Sequence, residues 1–224
     1  ANAAAATMPG NPLLGPDGEP LATDVARFGA GPGAAHTVVL IGSGLHGVEG
    51  HAGWGLQMLT LEGGRLGRLP DGVAVLLVHA INPYGMAWSR RVDHDNIDVN
   101  RNWVDFTQPL PGNEHYAAID HLLKPDDAEL DLDDTAWVDA LWGFAADVGL
   151  AAAFRAISGG QYDVPSGVQF GGQGSSWSQT TLRRIWAAHV EGAEALLNVD
   201  IHTGLGPCGG LTVFQTADED EPAA

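Results

Sequence analysis

The chain has 224 residues, 45% of them hydrophobic, which is enough to bury a core and excludes a disordered polymer. Its formal net charge of −18 repels phosphate backbones and anionic lipid, so composition argues against nucleic acid and membrane surfaces as partners. Cys208 is the one cysteine, which excludes an intramolecular disulfide framework, and no apolar run reaches the length of a membrane span.

Residues 1–35 are rich in Ala, Gly and Pro and read as an irregular lead-in to a single domain over 36–224. The N-terminus has neither the charged nor the apolar region of a signal peptide, so the expected compartment is the cytoplasm. Thr37 to Ile41 is apolar and β-branched, as in a strand covered on both faces. The loop "GSGLHGVEGHAG" follows, and then His51 to Leu61, with Trp54, Met58 and Leu61 at helical spacing. Val73 to Val78 is a second buried strand, ended by the turn signal "HAINPYG". A polar, aperiodic stretch, "MAWSRRVDHDNIDVNRNWVDF", comes next. Asn113 to Leu123 reads as a helix stopped by Pro125.

Asp126 to Asp134 is an acidic loop whose Asp133 or Asp134 can cap a helix from about Thr135 to Ile157, broken near Gly149. The glycine-rich "SGGQYDVPSGVQFGGQGSS" leads to an amphipathic helix over Ser178–Leu196. Leu197 to Ile201 is a third strand, and "LTVFQ" offers a fourth. Strands alternating with helices predict an α/β fold, a mixed, largely parallel sheet sandwiched by helices.

Three polar clusters follow predicted strands, and in this architecture they converge on one edge of the sheet. A hydrolytic zinc needs three ligands from His and carboxylate side chains, plus one open position. His46, Glu49 and His202 supply that set. On its own, H-x-x-E is a weak signal and reads as a loop histidine with a solvated glutamate. The other two clusters change that reading.

Together, "GLHGVEG", "NPYGMAWSRR", "DVNRNW" and "DIHTGLGP" resemble the zinc carboxypeptidase superfamily, and within it the M14-like metallopeptidases that carry a DUF2817 domain. The resemblance runs from about Asn11 to the end. It implies one zinc ion per chain, held by His46, Glu49 and His202. It implies that Asp98 is the carboxylate behind a ligand histidine, where the residues alone read equally well as a turn-capping aspartate. Asn100 and Arg101 match the pair that holds a substrate carboxylate, a task suited to a bidentate guanidinium. Arg90 or Arg91 matches the arginine that stabilises an oxyanion; Arg91 is preferred, and adjacent solvated arginines are the plainer alternative. Asp200 lies two residues before His202 and shares its face of the strand, which suits a supporting or substrate contact. His79 reads as a core histidine, and His51 and His94 as peripheral. "DDAELDLDD" lacks the sixth-position glycine and twelfth-position glutamate of a calcium loop and reads as solvated.

The implied activity is zinc-dependent hydrolysis of an amide next to a free carboxylate, in a small peptide or modified amino acid. "DIHT" also resembles the aspartoacylase and succinylglutamate desuccinylase group, which deacylates N-acyl-amino acids. The family mechanism needs a glutamate general base on a later strand, and only 22 residues follow His202. Asp218 to Glu221 lie in a tail without strand context, so the chain reads as cut short at its C-terminus. A metal- or carboxylate-binding module without catalysis is the third reading.

Overall fold

The computed structural model describes residues 3–124 and 135–214. Its strands are β1 (Ala3–Met8), β2 (Thr23–Gly29), β3 (Thr37–Ser43), β4 (Val73–His79) and β5 (Ala195–Ile201). Its helices are α1 (Gly50–Glu62), α2 (Pro83–Ala87), α3 (Tyr116–Leu123), α4 (Ala136–Val148), α5 (Leu150–Ser158) and α6 (Trp177–His189). The five strands form one sheet in the order β1-β2-β4-β3-β5. β3 runs parallel to both of its neighbours, β4 and β5, while β1–β2 and β2–β4 are antiparallel. The architecture is therefore the expected α/β one, a mixed sheet flanked by helices.

The strand alternation sorts side chains onto two faces. Val38, Leu40, Leu76, Val78 and Val25 form one cluster with Leu182 and Ile185 of α6. Val75 and Leu77 form the other with Leu66, against Ala26, Phe28, Val39, Ile41 and Leu69. α1 crosses on this second side. Its buried Gln57 donates to the Ile41 and Val78 carbonyls at 2.9 and 3.1 Å, so a polar side chain locks helix to strands. β3 is fully covered on the α6 side only; Val39 and Ile41 are half-buried, not enclosed as the apolar run suggested.

The lead-in over residues 1–35 is corrected: it carries β1 and β2. The alternation in β2 was hidden because a core-facing position holds Arg27, 4% exposed. Its Nε donates to the Ala30 carbonyl and its Nη1 to the His189 carbonyl, both at 2.7 Å. The last residue of α6 thus meets the buried cation with its carbonyl oxygen. α6 itself stops at His189, short of Leu196, because Gly192 turns the chain at φ 86° and the amides of Glu194 and Ala195 go to the His36 carbonyl. α3 starts at Tyr116, not Asn113, whose amide instead donates to the Ala156 and Gly160 carbonyls. The break at Gly149 between α4 and α5 is where it was expected. Leu211 to Phe214 form no strand and lie exposed, since β-propensity needs a partner strand. The acidic loop, Asp133, Asp134 and Asp218–Glu221 lie outside the described residues. Among the described helices none is long and apolar enough to cross a membrane.

Candidate metal centre

The parallel strands β3 and β5 end side by side, with Ser43 paired to Ile201. Each then delivers a histidine to the same edge: His46 three residues past β3, His202 directly after β5. Between His46 and α1 the chain makes a single 3-10 turn over Gly47–Glu49, closed by the Glu49 amide on the His46 carbonyl at 3.0 Å. That turn swings Glu49 back toward His46. A Cβ on Gly47 would meet the backbone of Gly85 in α2 at 2.1 Å. The glycine is required by the close packing of α2 on this loop.

His46, Glu49 and His202 each offer a ligand atom within 4.8 Å of the others. His46 Nδ1 lies 3.0 Å from Glu49 Oε1 and 3.1 Å from His202 Nδ1, and His202 Nδ1 lies 3.5 Å from Glu49 Oε2. The far side of each imidazole is also occupied. His46 Nε2 lies 3.1 Å from Asp98 Oδ1, and His202 Nε2 lies 2.7 Å from Asp200 Oδ2. A carboxylate only accepts, so with a metal on the Nδ1 side each Asp would keep the proton on Nε2 and leave Nδ1 a free lone pair. Two such lone pairs and a carboxylate would then point at one place, a donor set suited to a cation. A tetrahedral zinc ion with bonds of roughly 2.0–2.2 Å would hold its donors about 3.3–3.5 Å apart, close to the spacings found. The residues fit the metal, and three protein ligands leave one position open.

Without a metal, protons take that place. His202 is pushed up to about 10 by its hydrogen bonds to Asp200 and then Glu49. Burial pulls His46 down, but its bonds to Asp98 and Glu49 outweigh burial and raise it. Burial likewise opposes ionisation of Glu49, yet His202, His46 and the Thr203 amide hold it well below the usual carboxylate range. Asp98 is lowered against the effect of burial, through His46 and Arg91.

Arg91 is the arginine that reaches this group. Its Nη1 lies 3.4 Å from Glu49 Oε1, and its Nε and Nη2 each lie 3.2 Å from Asp98 Oδ2. Arg90 turns away and sets its guanidinium 6.0 Å from the centre of the Tyr84 ring. Asn100 is exposed in the same turn, its amide bonded to Asp98 Oδ1 at 2.9 Å. Arg101 points its Nη2 at the Ser158 carbonyl, 2.8 Å away, and its Nε has no hydrogen-bond partner among the described residues. The structure thus brings together His46, Glu49, His202, Asp98, Asp200 and Arg91, while Arg90 faces Tyr84 and Arg101 gives its Nη2 to the Ser158 carbonyl. His79 is a satisfied interior histidine, 2.7 Å from Ser43 Oγ.

One contact escaped the sequence: the Thr203 amide donates to Glu49 Oε2 at 2.6 Å, tying the two ligand segments together. No side-chain pattern could have signalled a main-chain donor. A second was Asn102, fully buried beside the Asp98 turn. Its place in "NRNW" was visible, though not its burial.

Fold and donor set together define an α/β protein with three side chains, at the ends of two parallel strands, that could hold a metal ion. The chain belongs to the family described as "Protein of unknown function (DUF2817)", whose sequence profile matches residues 1–224. No curated protein matches it. Among solved structures it is similar to a crystal structure described as a succinylglutamate desuccinylase / aspartoacylase family protein from Shewanella amazonensis, at 23% identity and a TM-score of 0.36. That match covers 91% of this chain and 47% of the other, so the chain spans about half the length of the structure it matches.

Proposed function

We propose that the chain carries the metal-binding residues of a zinc-dependent amidohydrolase site, acting on an amide next to a free carboxylate. The observation that carries the reading is the pair of Nδ1 atoms 3.1 Å apart, facing Glu49 and each backed by its own aspartate. A zinc ion held there supplies Lewis-acid polarisation to a scissile carbonyl and to water. His46, Glu49 and His202 hold it; Asp98 and Asp200 fix the imidazole tautomers. Arg91, half-exposed beside Glu49, offers its remaining N–H donors to developing negative charge on the carbonyl oxygen. Asn100 and Arg101 hold the carboxylate of a peptide or modified amino acid, Arg101 through donors other than the Nη2 given to Ser158.

A second reading, binding without turnover, is favoured by one observation. Every carboxylate in hydrogen-bond contact with the three ligand side chains, among the described residues, is already a ligand or a histidine partner. The test is elemental analysis of purified chain beside His46→Ala and His202→Ala. About one zinc per chain, lost in both variants, supports the metal site; none in folded wild type sinks it. Assay of the loaded chain on N-acyl-amino acids and on peptides with free C-termini then separates deacylase, carboxypeptidase and silent binder.

A further inference from the structure

We propose that Asn102 is a positioning residue for the metal centre: its carboxamide clamps the Asp98–Arg101 turn so that Asp98 stays on His46. The proposal rests on the metal-site reading above. Asn102 is 0% exposed and sits four residues past Asp98. Its Nδ2 donates to the Gly171 and Gly174 carbonyls at 2.8 and 2.9 Å. Its Oδ1 accepts from the Ser176 amide at 2.8 Å, and its own carbonyl accepts from Gln179 Nε2 at 2.7 Å.

Ser176 caps α6 through its hydroxyl on the Gln179 amide, and Gln179 lies in that helix's first turn. One side chain therefore joins three segments: the Asp98 turn, the 170–174 loop and the start of α6. The loop completes the circuit, because the Phe170 carbonyl accepts the Asp98 amide at 2.7 Å. Asp98 in turn meets His46 with Oδ1. Only a carboxamide satisfies this setting, since both N–H bonds face carbonyls and the oxygen faces an amide. An aspartate there would turn an oxygen toward two carbonyl oxygens, and the turn would have to move.

Three other features make the assignment specific to position. The Tyr162 hydroxyl donates to the Arg101 carbonyl at 2.7 Å. A Cβ on Gly171 would strike the Tyr162 ring and the Arg101 carbonyl. A Cβ on Gly172 would lie 2.8 Å from Asn102 Nδ2. The loop is thus fitted against the turn atom by atom, and a change at residue 102 travels to Asp98 through backbone bonds.

The test measures zinc affinity by chelator competition, with the low-field NMR resonance of the His46 Nε2 proton in the zinc-loaded chain. Wild type, Asn102→Asp and Asn102→Ser are compared with Leu66→Ala, a core change in the cluster on the other face of the sheet from Val99 of the turn. The expected result is a loss of affinity of about tenfold or more in Asn102→Asp, with a shifted or exchange-broadened His46 resonance. Leu66→Ala lowers the melting temperature and moves neither readout. Should Asn102→Asp not fold, Asn102→Ser, which keeps one donor and one acceptor, carries the same criteria. A folded Asn102 variant with wild-type affinity and an unmoved resonance overturns the clamp while leaving the metal site intact. A wild-type chain that binds no zinc overturns the metal reading first, and the clamp with it.

Discussion

The metal centre contains the same device twice, in two surroundings. On one side, His46 and Asp98 are 3% and 0% exposed, enclosed by α2, the Asp98 turn and the 3-10 turn. On the other, His202 and Asp200 end the edge strand β5, with side chains 35% and 24% exposed. Both pairs fix a tautomer. They differ in what breaking them costs. A buried carboxylate and imidazole that lose each other leave a polar group without water, whereas the edge pair can re-solvate. The difference assigns the buried pair to pre-organisation and the edge pair to closure of the site.

The comparison breaks or sharpens with the following measurements, from the largest expected effect. Replacing either ligand histidine by alanine should abolish zinc binding at stoichiometric concentration, read by elemental analysis. If His202→Ala alone retained the metal, the edge half would not belong to the site. Next, Asp98→Ala should destabilise the metal-free chain by about 3–5 kcal/mol in urea unfolding, as for a broken buried pair. Asp200→Ala should cost about 0–1 kcal/mol, as for an exposed one. Equal costs would erase the distinction between the two halves.

A pH series probes the edge pair directly. In the metal-free chain His202 keeps its proton up to about pH 10, so zinc must displace that proton. Zinc affinity should therefore rise with pH, by about tenfold per unit for each proton displaced, and level off near pH 10. For stability the sign is opposite. A histidine raised above its ordinary value contributes stability that is complete below that value and is lost as pH rises toward 10. The half-exposed side chain makes that loss small. Smallest of all, Arg90→Ala should leave zinc affinity within about twofold, because its guanidinium faces Tyr84. Arg91→Ala should weaken it several-fold through Glu49 and Asp98. The reverse ranking would exchange the roles of the two arginines.

Much of this was legible in the residues themselves. "VAVLLV" and "TVVLI" mark strands by their apolar, β-branched run, although "TVVLI" is fully buried on one face only. His46 with Glu49, and His202 with Asp200, sit at spacings of three and two, short enough for local geometry to bring them together. The strand over Thr23–Gly29 was not legible, since Arg27 occupies a core position made tolerable by the Ala30 carbonyl and the end of α6.

What the sequence by itself determined was the α/β pattern, through periodicity; the candidate donors His46, Glu49 and His202 and the aspartates Asp98 and Asp200 were named from the family resemblance of its motifs and, for Asp200, from its spacing of two from His202. Only the tertiary structure decided that the donors meet, that Arg91 and not Arg90 reaches them, and that Asn102 joins the Asp98 turn to α6. Those contacts span 42 to 156 residues of chain between Glu49 and Arg91, Asn102 and Ser176, and His46 and His202. The last of them exists because parallel pairing of β3 with β5 brings their two loops to one edge, a long-range closure that no local pattern encodes.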